Sequence, residues 1–150
     1  PDHGSVKRAR TFASFFNAPI AIIDKRRPQA NVAEIMNIIG DVKGKNCILC
    51  DDMVDTAGTI CNAANALKEM GAKSVRACAT HGVLSGPAIT RLKDSGIDEI
   101  VFLNTMPIPE EKRIEKMTVL SAAPVFAETI KRIVNNEPVS PQFDEGGSTK

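Results

Sequence analysis

The sequence predicts an α/β domain built on a doubly wound parallel sheet, and three observations carry that prediction. Short apolar runs of the kind that make buried strands alternate with segments of helical periodicity. The spacing between runs leaves room for crossover helices, which implies parallel neighbours joined by right-handed connections. No segment repeats, and no Pro/Gly/Ser-rich linker interrupts the pattern.

Residues 6–16 mix basic and apolar positions at helical spacing, closed by Asn17 and Pro19. Residues 19–23 form a continuous apolar run, the mark of a strand covered on both faces. The charged stretch 24–31 holds too little apolar content to pack, whereas 32–39 is apolar and β-rich. Gly40-Asp41-Val42-Lys43-Gly44 reads as a turn. A second buried strand is expected over 47–50. A helix over 59–70 follows, with Ile60, Ala63, Ala64 and Leu67 on one face and Gly71 as its stop. Residues 74–79 read as a third strand. Ser85 is placed to cap a helix with Pro87 in its first turn, running to about Ser95 and ended by Gly96. Strands are expected at 99–103 and 118–120. A closing helix over 124–134 sets Val125, Phe126, Thr129, Ile130 and Ile133 on one side. Residues beyond Asn135 read as mobile, with a domain over 1–143 and a flexible tail over 144–150.

Nineteen basic residues against eighteen acidic ones give a formal charge of +1. That balance argues against a basic footprint for nucleic acid or an anionic membrane. Any bound anion must be caught by a local site. There is no apolar run of about eighteen residues that would suggest a membrane-spanning helix, and no leader pattern. The start at Pro1, in a turn-like Pro1-Asp2-His3-Gly4, reads as a break inside a longer polypeptide. Cys47 and Cys50 formally spell C-x-x-C, but no second pair completes a metal set. Positions three apart on a strand also face opposite sides. The four cysteines, Cys47, Cys50, Cys61 and Cys78, are therefore expected as buried small hydrophobes in a reducing cytoplasm.

The most informative stretch is Asp51-Asp52-Met53-Val54-Asp55-Thr56-Ala57-Gly58-Thr59, where a strand gives way to a helix. Ligands of open parallel sheets bind outside the carboxyl ends of the strands. Small and hydroxyl residues from Asp55 to Thr59 surround the helix start, whose orphan N–H groups and dipole favour a phosphate. Gly58 permits close backbone approach, and Thr56 and Thr59 add hydroxyl donors. Asp51 and Asp52 would repel a bare phosphate, so they call for sugar hydroxyls or a cation. Together these parts make a sugar-phosphate site in one loop. The plainer alternative is a helix start whose acids merely complement the dipole. Gly40-Asp41-Val42-Lys43-Gly44-Lys45 fails the P-loop pattern, because its second glycine comes one residue early. His81 follows a strand end and is read as a turn histidine bonded to backbone.

The acidic stretch resembles the phosphoribosyl pyrophosphate motif shared by type I phosphoribosyltransferases and ribose-phosphate pyrophosphokinases. Asp24-Lys25-Arg26-Arg27-Pro28, Asn31-Val32-Ala33-Glu34, Met36-Asn37-Ile38-Ile39-Gly40-Asp41-Val42 and the segment from Thr80 to Ala88 resemble the pyrophosphokinases, as does the opening Pro1-Asp2-x-Gly4. The resemblance runs from Pro1 to about Phe143 and implies a type I phosphoribosyltransferase-like domain, the C-terminal half of a longer two-domain enzyme. It implies transfer of the diphosphoryl group of ATP to ribose 5-phosphate, with Mg²⁺ as metal. Lys25 and Arg27 match the family's catalytic loop, and Asp2 matches a magnesium-binding aspartate. Asp51, Asp52, Asp55, Thr56, Ala57, Gly58 and Thr59, with Arg27, would bind ribose 5-phosphate. The resemblance further implies a cytoplasmic homo-oligomer, commonly a hexamer, and an isolated chain that is inactive because its adenine-binding part lies elsewhere. Ser5 and Pro141 depart from the family pattern, leaving the first turn and the regulatory class open. A type I phosphoribosyltransferase, or a non-catalytic regulatory subunit with the same fold, are the alternatives. Lys25-Arg26-Arg27-Pro28 argues against the first, and the intact catalytic loop and acidic motif argue against the second.

Overall fold

The computed structural model describes residues 3–26 and 35–144. They form two compact units, one of residues 20–120 and the other of residues 1–19 with 121–150.

The larger unit holds a parallel sheet of four strands: β3 (Asn46–Val54), β4 (Ser74–Gly82), β5 (Glu99–Leu103) and β6 (Met117–Leu120), side by side in that order. Helices α2 (Gly58–Glu69) and α3 (Ala88–Asp94) supply the first two crossovers. The expected strands and helices of this region are all present, with β3 and β4 longer than expected. Each strand alternates, and the side that faces the core is apolar. Val75, Ala77 and Ala79 of β4 and Ile100 and Phe102 of β5 are buried in one cluster with Ile60, Cys61, Ala64 and Leu67 of α2 and Ala88 and Leu92 of α3. Gly82 sits where β4 passes this cluster, and a Cβ there would come within 3.0 Å of Ile108 Cδ1 and 3.2 Å of Phe102 Cδ1. The backbone can pass so close to the ring only without a side chain.

Three expectations are corrected here. The apolar run at 19–23 does not make a strand covered on both faces. β1 (Ile22–Arg26) instead pairs antiparallel with β2 (Ile35–Ile39), with Ile23 opposite Ile38, in a separate two-stranded sheet. Ile22 and Ile39 stay exposed. The strand also continues into charged Asp24 and Lys25, because ladder pairing uses backbone groups whatever the side chain. β3 is not buried along its length: Ile48 and Cys50 are exposed. Of the four cysteines only Cys61 is buried, and Cys50 and Cys78 lie side by side with sulfurs 3.4 Å apart.

Ser85 does not cap α3, whose N-cap is Pro87; its hydroxyl is used elsewhere, as described below. The end of α3 is held by Lys116, whose Nζ donates to the carbonyls of Lys93, Ser95 and Ile97 at 3.2, 3.1 and 3.0 Å. The Lys93 carbonyl would otherwise be an orphan of the helix terminus, and the other two belong to the turn that follows it.

The smaller unit contains α1 (His3–Phe15), α4 (Ala123–Val134) and the short α5 (Pro141–Asp144). α5 forms inside the stretch expected to be mobile, and Gln142 Nε2 ties it to α4 by donating to the Val125 carbonyl at 3.0 Å. The apolar side of α4 is present as expected, but Val125, Phe126, Ile130 and Ile133 are exposed. Residues 145–150 of the expected tail lie outside the described residues. Among the described residues no helix is long and apolar enough to cross a membrane.

Candidate functional site

Where β3 ends, the chain turns through Asp55, Thr56 and Ala57 into α2. Asp51 and Asp52 occupy the last part of the strand, with Asp51 opposite Ala79 of β4. Both are exposed, and their carboxylates also touch the backbone locally: Asp51 Oδ1 accepts the Asp52 N–H and Asp52 Oδ1 accepts the Met53 N–H, each at 2.9 Å. Val54 is buried, so the strand end is pinned to the core directly below the acids.

The turn is clamped by the following β4–α3 loop. The Val54 carbonyl accepts the N–H groups of Val83 and Leu84, both at 3.1 Å, and the Asp55 carbonyl accepts that of Ser85 at 3.1 Å. The Ser85 hydroxyl donates to the Asp55 carboxylate. Arg91, reaching over from α3, donates from Nη1 to the Thr56 carbonyl at 3.0 Å. Gly58 leaves space for that guanidinium, since a Cβ there would meet Arg91 Nη1 at 3.3 Å. Sequence reasoning missed Arg91 altogether and gave Ser85 another task. Neither residue carries a local signal, because each acts across thirty or more positions of chain.

Ala57 caps α2 with φ 60° and ψ 2°, a left-handed conformation that a side chain adopts at a cost, and makes no side-chain cap bond. Its carbonyl accepts the Cys61 N–H at 3.1 Å, closing the first helical turn. The amides of a helix's first turn have no intrahelical acceptor, and the dipole there favours an anion. Thr56 and Thr59 are exposed beside them, with Gly58 half-buried. The junction therefore sets an acidic strand end against a helix start with no side-chain cap. The first can accept hydrogen bonds from hydroxyls, and the second can donate to an anion.

The structure brings together seven of the expected site residues, the run of 51, 52 and 55–59. Lys25 lies in β1, paired opposite Met36, on the two-stranded sheet. Arg27 and Asp2 lie outside the described residues. His81 stands on β4 and bonds to a side chain rather than directly to backbone: its Nδ1 is 2.9 Å from Thr105 Oγ1, which donates to the Thr80 carbonyl at 2.9 Å. Since that hydroxyl spends its hydrogen on the carbonyl, Nδ1 is the donor to it. Among the described residues no group of three His, Cys, Asp or Glu side chains could hold a metal ion.

A parallel α/β sheet with this strand-to-helix junction defines a type I phosphoribosyltransferase-like fold. The chain belongs to the phosphoribosyl synthetase-associated domain family, whose model matches residues 25–144. It is 64% identical over 145 residues to the ribose-phosphate pyrophosphokinase of Clostridium perfringens, covering 97% of this chain and 46% of that protein. It is 65% identical over 145 residues to the enzyme of the same name from Clostridium acetobutylicum, with the same coverage. A crystal structure of phosphoribosylpyrophosphate synthetase from Mycobacterium smegmatis superposes with a TM-score of 0.81 at 48% identity, over 91% of this chain and 44% of that one. The chain spans about half the length of the curated relatives it matches. The narrower expectation, that it is their C-terminal half, is not supported by these matches.

Proposed function

We propose that this chain supplies the ribose 5-phosphate site of a ribose-phosphate diphosphokinase. The reaction moves the β,γ-diphosphoryl group of ATP to the 1-hydroxyl of ribose 5-phosphate, giving phosphoribosyl pyrophosphate and AMP. The observation that carries this reading is the junction at 51–59, where acids at a strand end stand beside a helix start without a side-chain cap. The names and high identity of the relatives support the same activity.

In this reading the 5-phosphate sits on the amides of Gly58 and Thr59, with the Thr56 and Thr59 hydroxyls as further donors and Ala57 shaping the turn. Asp51 and Asp52 accept from the ring hydroxyls, which orients C1 toward the nucleotide. Asp55, held by Ser85, keeps the turn open. The 1-hydroxyl oxygen attacks the β-phosphorus, the bond from that phosphorus to the α-phosphate oxygen breaks, AMP departs and the hydroxyl proton is lost. Such a transfer depends on positioning and charge stabilisation more than on covalent help. Lys25 and Arg27 are assigned to the developing charge, Arg27 through paired contacts to phosphate oxygens and Lys25 as a point charge. Losing one such donor costs about 3 kcal/mol of transition-state stabilisation.

Magnesium supplies charge neutralisation on the phosphates when bound with them. Asp2 is the residue assigned to it. The described residues offer no three-ligand cluster of their own. The adenine site is assigned to chain beyond this one, which makes the isolated chain inactive. Self-assembly into a homo-oligomer, a hexamer in this reading, and a cytoplasmic location complete the proposal.

Calorimetric titration of the chain with ribose 5-phosphate tests the site. Saturable binding, weakened at least about tenfold by pairing Asp51→Asn with Asp52→Asn, is expected from the loss of about 1.4 kcal/mol or more. Unaltered affinity in the double variant would remove the acids from the site. In the full-length protein, AMP release from ATP and ribose 5-phosphate separates this activity from a phosphoribosyltransferase. Unchanged turnover in Lys25→Ala would cancel the role given to Lys25.

A further inference from the structure

Cys50 of β3 and Cys78 of β4 are direct register partners in the parallel pair, and their sulfurs stand 3.4 Å apart. Neighbouring strands run about 4.7–4.9 Å apart, inside the window of about 4.4–6.8 Å between Cα atoms that a disulfide spans. Register partners project from the same face of a sheet, so both sulfurs are already on one side. Bonding needs about 1.3 Å of further approach to reach a disulfide length of about 2.05 Å, which rotation of two short side chains can supply. Cys50 is exposed and Cys78 partly so, whereas Cys61 is buried on the core-facing side of α2. Cys47 lies three positions before Cys50, and so on the other face of β3.

We propose that Cys50 and Cys78 are a dithiol that a peroxide closes to a disulfide and that small thiols reopen. One thiolate of the pair attacks a peroxide oxygen, the O–O bond breaks, and a sulfenic acid forms as water leaves. The second thiolate attacks that sulfur, the S–S bond forms, the S–O bond breaks, and another water departs. Both sulfurs are oxidised by one electron each, the peroxide is reduced by two, and the two thiol protons end in the water. Sharing a proton between the sulfurs eases the first ionisation: the hydrogen bond between them brings Cys78 down to about 7, while Cys50 is pushed up. The proposal does not rest on the ribose-phosphate reading, since neither cysteine is assigned to that site.

The fully reduced protein is treated with one equivalent of hydrogen peroxide, alkylated, digested and mapped by mass spectrometry. The expected product joins the peptides holding Cys50 and Cys78, leaves Cys47 and Cys61 alkylated, and reverts with dithiothreitol. Cys50→Ser and Cys78→Ser should each abolish the bridge, and Cys47→Ser should retain it. Mapping of the unaltered protein decides the matter even if a variant folds poorly. Separate sulfinic acids at the two positions, a bridge to Cys47 or Cys61, a bridge between two molecules, or four alkylated cysteines after excess peroxide would each overturn the assignment.

Discussion

The two faces of the parallel sheet differ sharply in burial. On one side Val75, Ala77, Ile100 and Phe102 lie under α2 and α3 with essentially no solvent contact. On the other side Ile48, Cys50 and Leu120 are exposed. Both faces carry apolar residues, the second mixed with Arg76, Glu99 and Thr118, so apolarity alone did not decide burial. The placement of the crossover helices did. The lesson is that stability in this unit is concentrated on one face, and the site hangs from its upper edge through Val54 and Leu84, both buried.

The most direct way to break that comparison is a pair of truncations. Phe102→Ala, at 0% exposure, should cost about 3–5 kcal/mol. Ile48→Ala, at 51% exposure, should cost less than about 1 kcal/mol. Urea unfolding of the two variants measures both, and equal losses would show that the faces are equivalent. Next in size, Gly82→Ala forces a methyl against Phe102 and Ile108 and should destabilise by about 1–3 kcal/mol. The same unfolding curves report it.

A smaller effect sharpens the view of the upper edge. Ser85→Ala removes the hydroxyl that holds the Asp55 carboxylate, at a cost of about 1 kcal/mol. Faster amide exchange at the N–H of Ser85, whose bond to the Asp55 carbonyl the clamp supports, is the sign to look for. Smallest is the Lys68–Asp98 pair at 2.8 Å, which ties α2 to the start of β5. Hydrogen bonds from Lys68 and from the Val75 N–H hold the Asp98 carboxyl below its ordinary value of 3.8. A carboxyl lowered by folding adds stability at every pH above the unfolded value, and that gain is lost as pH falls through the folded value. Melting temperatures of the wild type and Asp98→Asn should therefore differ at pH 7 and converge as pH falls through the lowered folded value. The pair is solvent-exposed, so the difference corresponds to less than about 1 kcal/mol.

Much of this architecture was legible in the sequence, for a definite reason. β5 at Glu99–Leu103 matches its expected limits, and α2 at Gly58–Glu69 differs by one residue at each end. Both are set by local periodicity and a local stop. The acidic junction was legible because its parts are contiguous. What the sequence did not disclose is non-local. The pairing of β1 with β2, the reach of Arg91 to Thr56, the diversion of Ser85 to Asp55 and the approach of Cys78 to Cys50 all depend on which segments become neighbours. Lys25, Arg27 and Asp2 were singled out by resemblance alone, and the fold adds only the backbone position of Lys25.

Ala57 and Leu84 both carry positive φ, 60° and 53°, without being glycine. They sit in the two loops that clasp each other above the strand ends, and both side chains are buried. Packing thus holds two costly backbone bends in place. A ligand taken at this edge would spend none of its affinity on ordering the turn, and relaxing either bend by mutation should slow capture as well as loosen the grip.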